Sequence, residues 1–83
     1  MRIKDAINKI LWTTKEREEL EKYQLIITDR VDPMGYKEIP FTNISHVDNN
    51  YVYIKNGENV IVIPIHRVIK IVKCGEEIYT RKT

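Results

Sequence analysis

The chain repeats one short apolar pattern, and a proline interrupts both copies. The pattern is Ile-Pro, three variable residues, Ile or Val, two variable residues, and Val or Ile; it begins at Ile39 and again at Ile63, 24 residues later. Proline has no N–H for a strand ladder, and its fixed φ suits an edge or a bend. We therefore expect one strand–bend–strand unit used twice, with Pro40 and Pro64 at equivalent corners of a small barrel or curled sheet.

Only the second copy carries a histidine next to an arginine, His66-Arg67. Arginine can donate two parallel hydrogen bonds to a phosphate, and histidine can donate a hydrogen bond or transfer a proton. A strand end that presents both residues is therefore a candidate anion site. The alternative is structural, with His66 packed under the bend and Arg67 a solvated charge. The dipeptide alone favours this alternative, and the repeat shifts the balance towards a site.

The length of 83 residues predicts one domain, with a helix over 3–12, a charged connector over 13–22 and a β-rich remainder over 23–81. The helix follows from apolar residues at helical spacing, and Trp12 is interpreted as a core anchor at its end. In the connector, Thr13 and Glu16 have capping-box spacing. The apolar residues are mostly Ile and Val, which favour strands.

The strongest local signal is Asn56-Gly57, which is typical of a type I′ hairpin turn. A two-residue loop there pairs Tyr53 with Val60 and Tyr51 with Val62 on one face. The other face is predicted to join Ile7, Ile10 and Leu11 of the helix in the core, and it consists of Val52, Ile54, Ile61 and Ile63. Tyr51 and Tyr53 then point outwards, where they either stack on bases or pack across the strands.

The expected fold is α+β, a small curled or barrel-like, mostly antiparallel sheet of about six short strands with the N-terminal amphipathic helix packed on it. Strand edges in so short a sheet must be covered, charged or paired. We expect barrel-like closure and a monomer or weak homodimer.

The charge is uneven along the chain. The net charge is +2; residues 1–50 carry −1 and residues 51–83 carry +3, with Lys70, Lys73, Arg81 and Lys82 downstream of the His-Arg pair. Such a bias can attract a phosphate backbone. The single Cys74 excludes an internal disulfide, and no spacing suits a zinc site, so no metal or cofactor is predicted. Without a membrane span or signal peptide, we expect a cytoplasmic protein. Abundant Lys and Glu favour a thermophile.

The order of these motifs is similar to that of a known family. Ile10-Leu11-Trp12, a strand ending in Asp29-Arg30, Ile39-Pro40, a turn ending in Gly57, and the segment from Ile63 to Val68 together resemble small, mostly archaeal proteins long listed as uncharacterised. Their domain is called the RNA cyclic group end recognition domain. The resemblance covers nearly the whole chain and implies recognition of RNA ends that bear a cyclic phosphate, in RNA repair or processing.

The resemblance implies phosphate ligands at Arg30, His66 and Arg67. The family commonly has His-Arg-Gly at the end of its first strand, whereas this chain has Asp29-Arg30-Val31. An aspartate beside the ligand would repel a phosphate, so either Asp29 turns away and pairs with Arg30, or this member binds weakly.

Three functions remain open. The first is a non-catalytic RNA-binding module for phosphorylated or cyclic-phosphate ends, with repair or processing enzymes as partners. The second is a structural or protein-interaction domain, and the third is a cyclic phosphodiesterase. Acid–base opening of the cyclic phosphate usually needs two proton-transfer groups, and the chain offers one well-placed histidine, so no catalytic residue is predicted.

Overall fold

The computed structural model of the chain describes residues 2–29, 31 and 33–80. Within them are two helices and seven strands: α1 Ile3–Thr13, α2 Arg17–Leu20, β1 Tyr23–Thr28, β2 Tyr36–Pro40, β3 Ile44–Val47, β4 Tyr51–Asn56, β5 Asn59–Pro64, β6 Val68–Lys73 and β7 Glu76–Thr80. The strands form two antiparallel sheets, one in the order β2-β1-β6-β7 and the other in the order β3-β4-β5. The α+β class with an N-terminal helix is confirmed.

The two prolines stand at equivalent corners, as the repeat predicts. The first corner, residues 40–43, is Pro40 followed by the 3₁₀ turn Phe41–Asn43; the second corner, residues 64–67, is Pro64 followed by the 3₁₀ turn Ile65–Arg67. Pro40 has φ −63° and ψ 139°, and Pro64 has φ −57° and ψ 134°. At each corner the chain leaves one sheet and enters the other.

Each sheet combines strands from both copies of the repeat. In one sheet the hairpin β1–β2 pairs with β6, which follows the second corner, and in the other the hairpin β4–β5 pairs with β3, which follows the first corner. The β1–β6 and β3–β4 pairings each contain a bulge, which leaves Ile69 and Ser45 unpaired. These residues lie 24 positions apart, so the repeat extends to the irregularities of the sheet.

One apolar core joins the helix to both sheets. Helix α1 lies against β3, β6 and β7 and buries Ile3, Ala6 and Ile7. The first corner contributes Phe41, and the sheets contribute buried side chains from their inner faces: Leu25, Ile27, Ile39, Ile44, Val47, Val52, Ile54, Val68 and Ile71.

The prediction of barrel-like closure is wrong. Strands β2 and β5 lie at the edges of different sheets and flank a groove of about 230 Å³ instead of pairing. Ile39 of β2 and Ile61 of β5 are among the residues that line this groove. The sheets are held together by their apolar inner faces and by α1, so the fold does not need a closed ladder.

The faces of the β4–β5 hairpin are as predicted, but its register is shifted by two residues. Tyr53 pairs with Val62 and Ile54 pairs with Ile61, so the loop is Gly57-Glu58. The predicted register would have put Ile54 opposite Asn59 on the inner face. Matching apolar pairs therefore outweighed the Asn-Gly turn preference. Gly57 has φ 66° and Glu58 has no positive φ, as in a type II′ turn.

The core prediction needs two further corrections. Ile61 is exposed, because β5 is an edge strand, whereas Ile63 is half-buried beside Val52 and Ile54. Trp12 is 80% exposed and not a core anchor. It lies five residues after the fully buried Ile7, and at 100° per residue this places it about 140° away around α1.

The connector forms one short helix, α2, without the predicted capping box. Glu16 is the N-cap of α2, and none of the described side chains caps that helix. The hydroxyl of Thr13 instead donates to the carbonyl of Lys9 at 2.7 Å. Thr13 therefore belongs to the end of α1, and the box spacing was misleading.

Candidate nucleic-acid interface at the second corner

The second corner presents two unpaired polar side chains. His66 and Arg67 are both exposed, whereas Ile65 before them is half-buried against the core. Within residues 2–29, 31 and 33–80, neither the imidazole of His66 nor the guanidinium of Arg67 makes a hydrogen bond or an ion pair. The structural alternative is wrong in packing His66 under the bend, whereas its solvated Arg67 agrees with the structure. Both side chains are free to meet a ligand.

Strand β4 and the turn before it support this corner. The N–H of Ile65 donates to the carbonyl of Asn50 at 2.9 Å, and Tyr51 pairs with Pro64 across the β4–β5 ladder. Tyr51 is 43% exposed and makes no ring contact in the described part of the chain. An open aromatic ring on β4 therefore lies opposite Pro64, the proline of β5 that precedes Ile65 and the His-Arg pair.

Asp48 fixes the turn at residues 48–50. Its Oδ1 accepts the N–H groups of Asn50 at 2.8 Å and Tyr51 at 2.6 Å, and its Oδ2 accepts the Tyr53 hydroxyl at 2.8 Å. These hydrogen bonds hold the pKa of Asp48 below its ordinary value, and the one from the N–H of Asn50 has the largest effect. The same carboxylate raises the pKa of the Tyr53 hydroxyl. Asp48 therefore serves to hold the backbone beside the corner.

The outer face of the β3-β4-β5 sheet carries the predicted tyrosines. The rings of His46 and Tyr53 stack with their centroids 4.1 Å apart and their planes at 15°. Tyr53 is half-buried, because one face of its ring is covered by His46 and its hydroxyl is bonded to Asp48. Of the two tyrosines, Tyr51 has the free ring. A sequence-tolerant stacking surface requires such an open π-face.

The end of β1 lies at the same end of its sheet as the second corner. Ile27 pairs with Val68, the residue that directly follows the corner. The loop at residues 29–35 therefore starts beside the His-Arg pair. Asp29 closes this loop, because its Oδ1 accepts the N–H of Val31 at 3.0 Å and its own N–H donates to the carbonyl of Gly35 at 3.1 Å. The predicted ligand Arg30 lies outside the described residues.

Two of the basic residues downstream of the corner have other partners. Nζ of Lys70 lies 3.8 Å from Oε2 of Glu77 in an ion pair, and Nζ of Lys73 lies 5.1 Å from the ring centroid of Tyr23 at the far end of β6. Arg81 and Lys82 lie outside the described residues.

Sequence reasoning missed two residues near the site. Lys4 of α1 donates from its Nζ to Oδ1 of Asn49 at 2.6 Å and so reaches the turn that supports the corner. No sequence signal indicates the partner of Lys4, because Asn49 lies 45 residues away. The alternation of His46 with Val47 on β3 places the imidazole on the outer face, where it stacks on Tyr53.

In the described part of the chain, no three His, Cys, Asp or Glu side chains lie close enough to hold a metal ion. None of the helices formed by those residues is long and apolar enough to cross a membrane.

Comparison with known proteins gives a consistent family. The chain is 54% identical over 71 residues to a UPF0248 protein of Saccharolobus islandicus, which covers 86% of this chain and 85% of that protein. It is 52% identical over 71 residues to a UPF0248 protein of Saccharolobus solfataricus, covering 86% and 83%. It is 47% identical over 81 residues to a UPF0248 protein of Metallosphaera sedula, covering 98% and 94%.

These relatives come from thermophilic archaea, in agreement with the Lys- and Glu-rich composition. No solved structure is significantly similar to the chain. The model of one protein family matches residues 1–81, and its description is MJ1316 RNA cyclic group end recognition domain. The chain belongs to this family.

Proposed function

We propose that this protein binds the end of an RNA strand that carries a terminal or 2′,3′-cyclic phosphate, with the phosphate at the second corner. The observation that carries the proposal is the exposed, unpaired pair His66 and Arg67 beside the open ring of Tyr51. The description of the family supports the same class of ligand. Arg67 and His66 are the proposed phosphate ligands.

The phosphate chemistry follows from the donors at this corner. Arg67 supplies a planar fork for two phosphate oxygens, and His66 supplies a ring N–H. Both follow Pro64, whose fixed φ limits the conformations available to the turn. Arg30 is a third proposed ligand, by resemblance to the family. The end of β1 beside this corner is consistent with that role.

Tyr51 is the proposed platform for the terminal base. A single-stranded end has unstacked bases, and a base on an aromatic ring gains about 1–3 kcal/mol by stacking. Tyr51 stands opposite Pro64 on the outer face, so a base on its ring would lie next to the phosphate held at the corner. Tyr53, which is already stacked on His46, is proposed to extend the platform.

A binding role is proposed in preference to catalysis. Opening a cyclic phosphate by acid–base chemistry usually needs two proton-transfer groups near the ring. His46 lies on β3, two strands away from β5, and its ring is stacked on Tyr53, whereas His66 follows the end of β5. We further propose that the protein works in RNA repair or processing in the cytoplasm, where Cys74 would stay reduced.

The test is a binding titration with one short RNA that ends in a 2′,3′-cyclic phosphate, a 3′-phosphate or a hydroxyl. Arg67→Ala is expected to weaken binding of the phosphate-ended RNAs by roughly tenfold to a hundredfold, since a charge-assisted hydrogen bond contributes about 1.5–3 kcal/mol. Asn43→Ala is the matched control, because Asn43 is exposed at the same position of the first corner. It should change affinity little.

Two outcomes would contradict the proposal. If Arg67→Ala and Asn43→Ala lose the same small amount at every salt concentration, the second corner is not the phosphate site. If incubation with the protein opens the cyclic phosphate and His66→Gln abolishes this reaction, the protein is an enzyme. The proposal requires that His66→Gln keep most of the affinity, because a binder needs a hydrogen-bond donor there.

A further inference from the structure

The edge of strand β5 is apolar and open. Among the strands of the described residues, β5 pairs only with β4, and its middle residues Val60, Ile61 and Val62 are 56%, 39% and 48% exposed. No charged residue occurs between Glu58 and Arg67. Such a strand presents unpaired backbone groups together with side chains that favour strand pairing.

The other sheet edges are protected. β2 carries Lys37 and Glu38, β7 begins with Glu76 and Glu77, and β3 has only four residues and a bulge. Charges, short length and bulges are the usual means of preventing edge-to-edge pairing. Among the four edges that the described residues form, β5 lacks all three.

The free backbone groups of β5 belong to Val60 and Val62. In an antiparallel hairpin with a two-residue loop, the two residues that flank the loop form both N–H···O=C hydrogen bonds with each other. Every second pair further along the ladder does the same, and the pairs between them form none. That pair is Asn56 with Asn59, so residues 59, 61 and 63 bond to β4. Val60 and Val62 therefore direct their N–H and C=O groups to the open edge.

We propose that β5 pairs antiparallel with β5 of a second copy of this chain, on a two-fold axis at Ile61. Val60 of each copy then lies opposite Val62 of the other. These two pairs give four N–H···O=C hydrogen bonds between the copies. Ile61 faces its own counterpart and extends the inner row in which Ile44, Ile54 and Ile61 are already paired. The two three-stranded sheets become one sheet of six strands.

A second copy is the occupant because the strand is complementary to itself. Val-Ile-Val is symmetric about Ile61, so each side chain meets a β-branched partner. Glu58 directly precedes the strand, and Arg67 lies three residues after its last residue, Pro64. Antiparallel pairing about Ile61 places Glu58 opposite Pro64 of the second copy, towards the end that carries Arg67, whereas parallel pairing in register would place Glu58 beside its own counterpart.

The dimer does not depend on RNA and is tested without it. Sedimentation equilibrium of the full chain should show a concentration-dependent dimer. Val60→Lys should raise the dissociation constant by roughly tenfold or more, because it places an ammonium in the interface. Ile78→Lys is the control: Ile78 is 47% exposed on the edge strand β7 and outside the interface. A wild-type monomer at every concentration, or a dimer that Val60→Lys leaves unchanged, would overturn the proposal.

A cross-link tests the register and does not require the lysine variant to fold. In a Cys74→Ser chain, Ile61→Cys should oxidise to a disulfide-linked dimer, since opposing residues of a non-hydrogen-bonded antiparallel pair have Cα atoms about 4.5 Å apart. Ile78→Cys in the same background should stay monomeric on oxidation. Failure of Ile61→Cys to link, or equal linking at Ile78→Cys, would reject the pairing.

Discussion

The two corners of this protein share a backbone and differ in what their side chains do. At the first corner Phe41 is fully buried, and its ring centroid lies 5.8 Å from that of Tyr23. At the second corner Ile65 is half-buried, and His66 and Arg67 extend into solvent. The proline and the 3₁₀ turn therefore determine the bend, and the three residues that follow determine whether the bend serves the core or the surface.

The surroundings of the corners explain this difference. The first corner is in contact with β1, β4 and helix α2, which enclose the side chain of Phe41. The second corner rests on the turn at residues 48–50 through the hydrogen bond from Ile65 to Asn50 and leaves its polar side chains open. A duplicated unit can thus use one copy for stability and the other for binding.

The largest expected effect would show that the first corner is the stabilising one. Phe41→Ala should lower the free energy of unfolding by about 3–5 kcal/mol, because it removes a fully buried aromatic side chain and leaves a cavity. Ile65→Ala at the matched position should cost clearly less, since that side chain is half-buried. Urea unfolding measures both, with Phe41→Leu as a milder variant if the alanine variant does not fold. Equal losses at the two positions would remove the contrast.

A smaller effect tests whether the two bends are equivalent. Pro40→Ala and Pro64→Ala should each lower the free energy of unfolding by about 0.4–1 kcal/mol, because alanine leaves the unfolded chain more conformational freedom. Both prolines have nearly the same φ and ψ, so the two losses should agree. Thermal and urea unfolding of both variants measure them. A marked inequality would mean that one bend is strained and that the corners are not equivalent.

The smallest effect concerns the turn that supports the second corner. Because the folded-state pKa of Asp48 is lowered, its contribution to stability is present above its unfolded pKa, ordinarily 3.8, and is lost as the pH falls through the folded value. Asp48→Asn should therefore be less stable than the wild type at neutral pH, and this difference should shrink in acid. Urea unfolding across that range measures it. A difference that stays constant with pH would show that the carboxylate charge is not what holds the turn.

Part of the fold was predictable because the signal was local and repeated. The Ile-Pro pattern indicated two equivalent corners, and strand alternation put Val52 and Ile54 inside with Tyr51 outside. Alternation survives a register shift of two residues, which is why the faces of the hairpin were correct although its pairs were not.

Other features depended on which elements meet. Ile61 lies in an alternating pattern that predicts a core residue, yet it is exposed because none of the described strands pairs with the outer edge of β5. The candidate site shows the same limit. His66 and Arg67 were identified because they are adjacent in the sequence, whereas Lys4 and Asn49 lie 45 residues apart and meet only through the packing of α1.

The sequence by itself determined the α+β composition, the two prolyl bends and the residue types available for a phosphate, since these depend on backbone restriction and on periodicity over a few residues. Only the tertiary structure decided that the strands form two sheets, that Tyr51 and the end of β1 flank the second corner, and that β5 is left open. Those features depend on pairings between distant segments, and several registers and closures satisfy the same local pattern. The choice among them is made by total burial and hydrogen bonding, which no single stretch of the chain encodes.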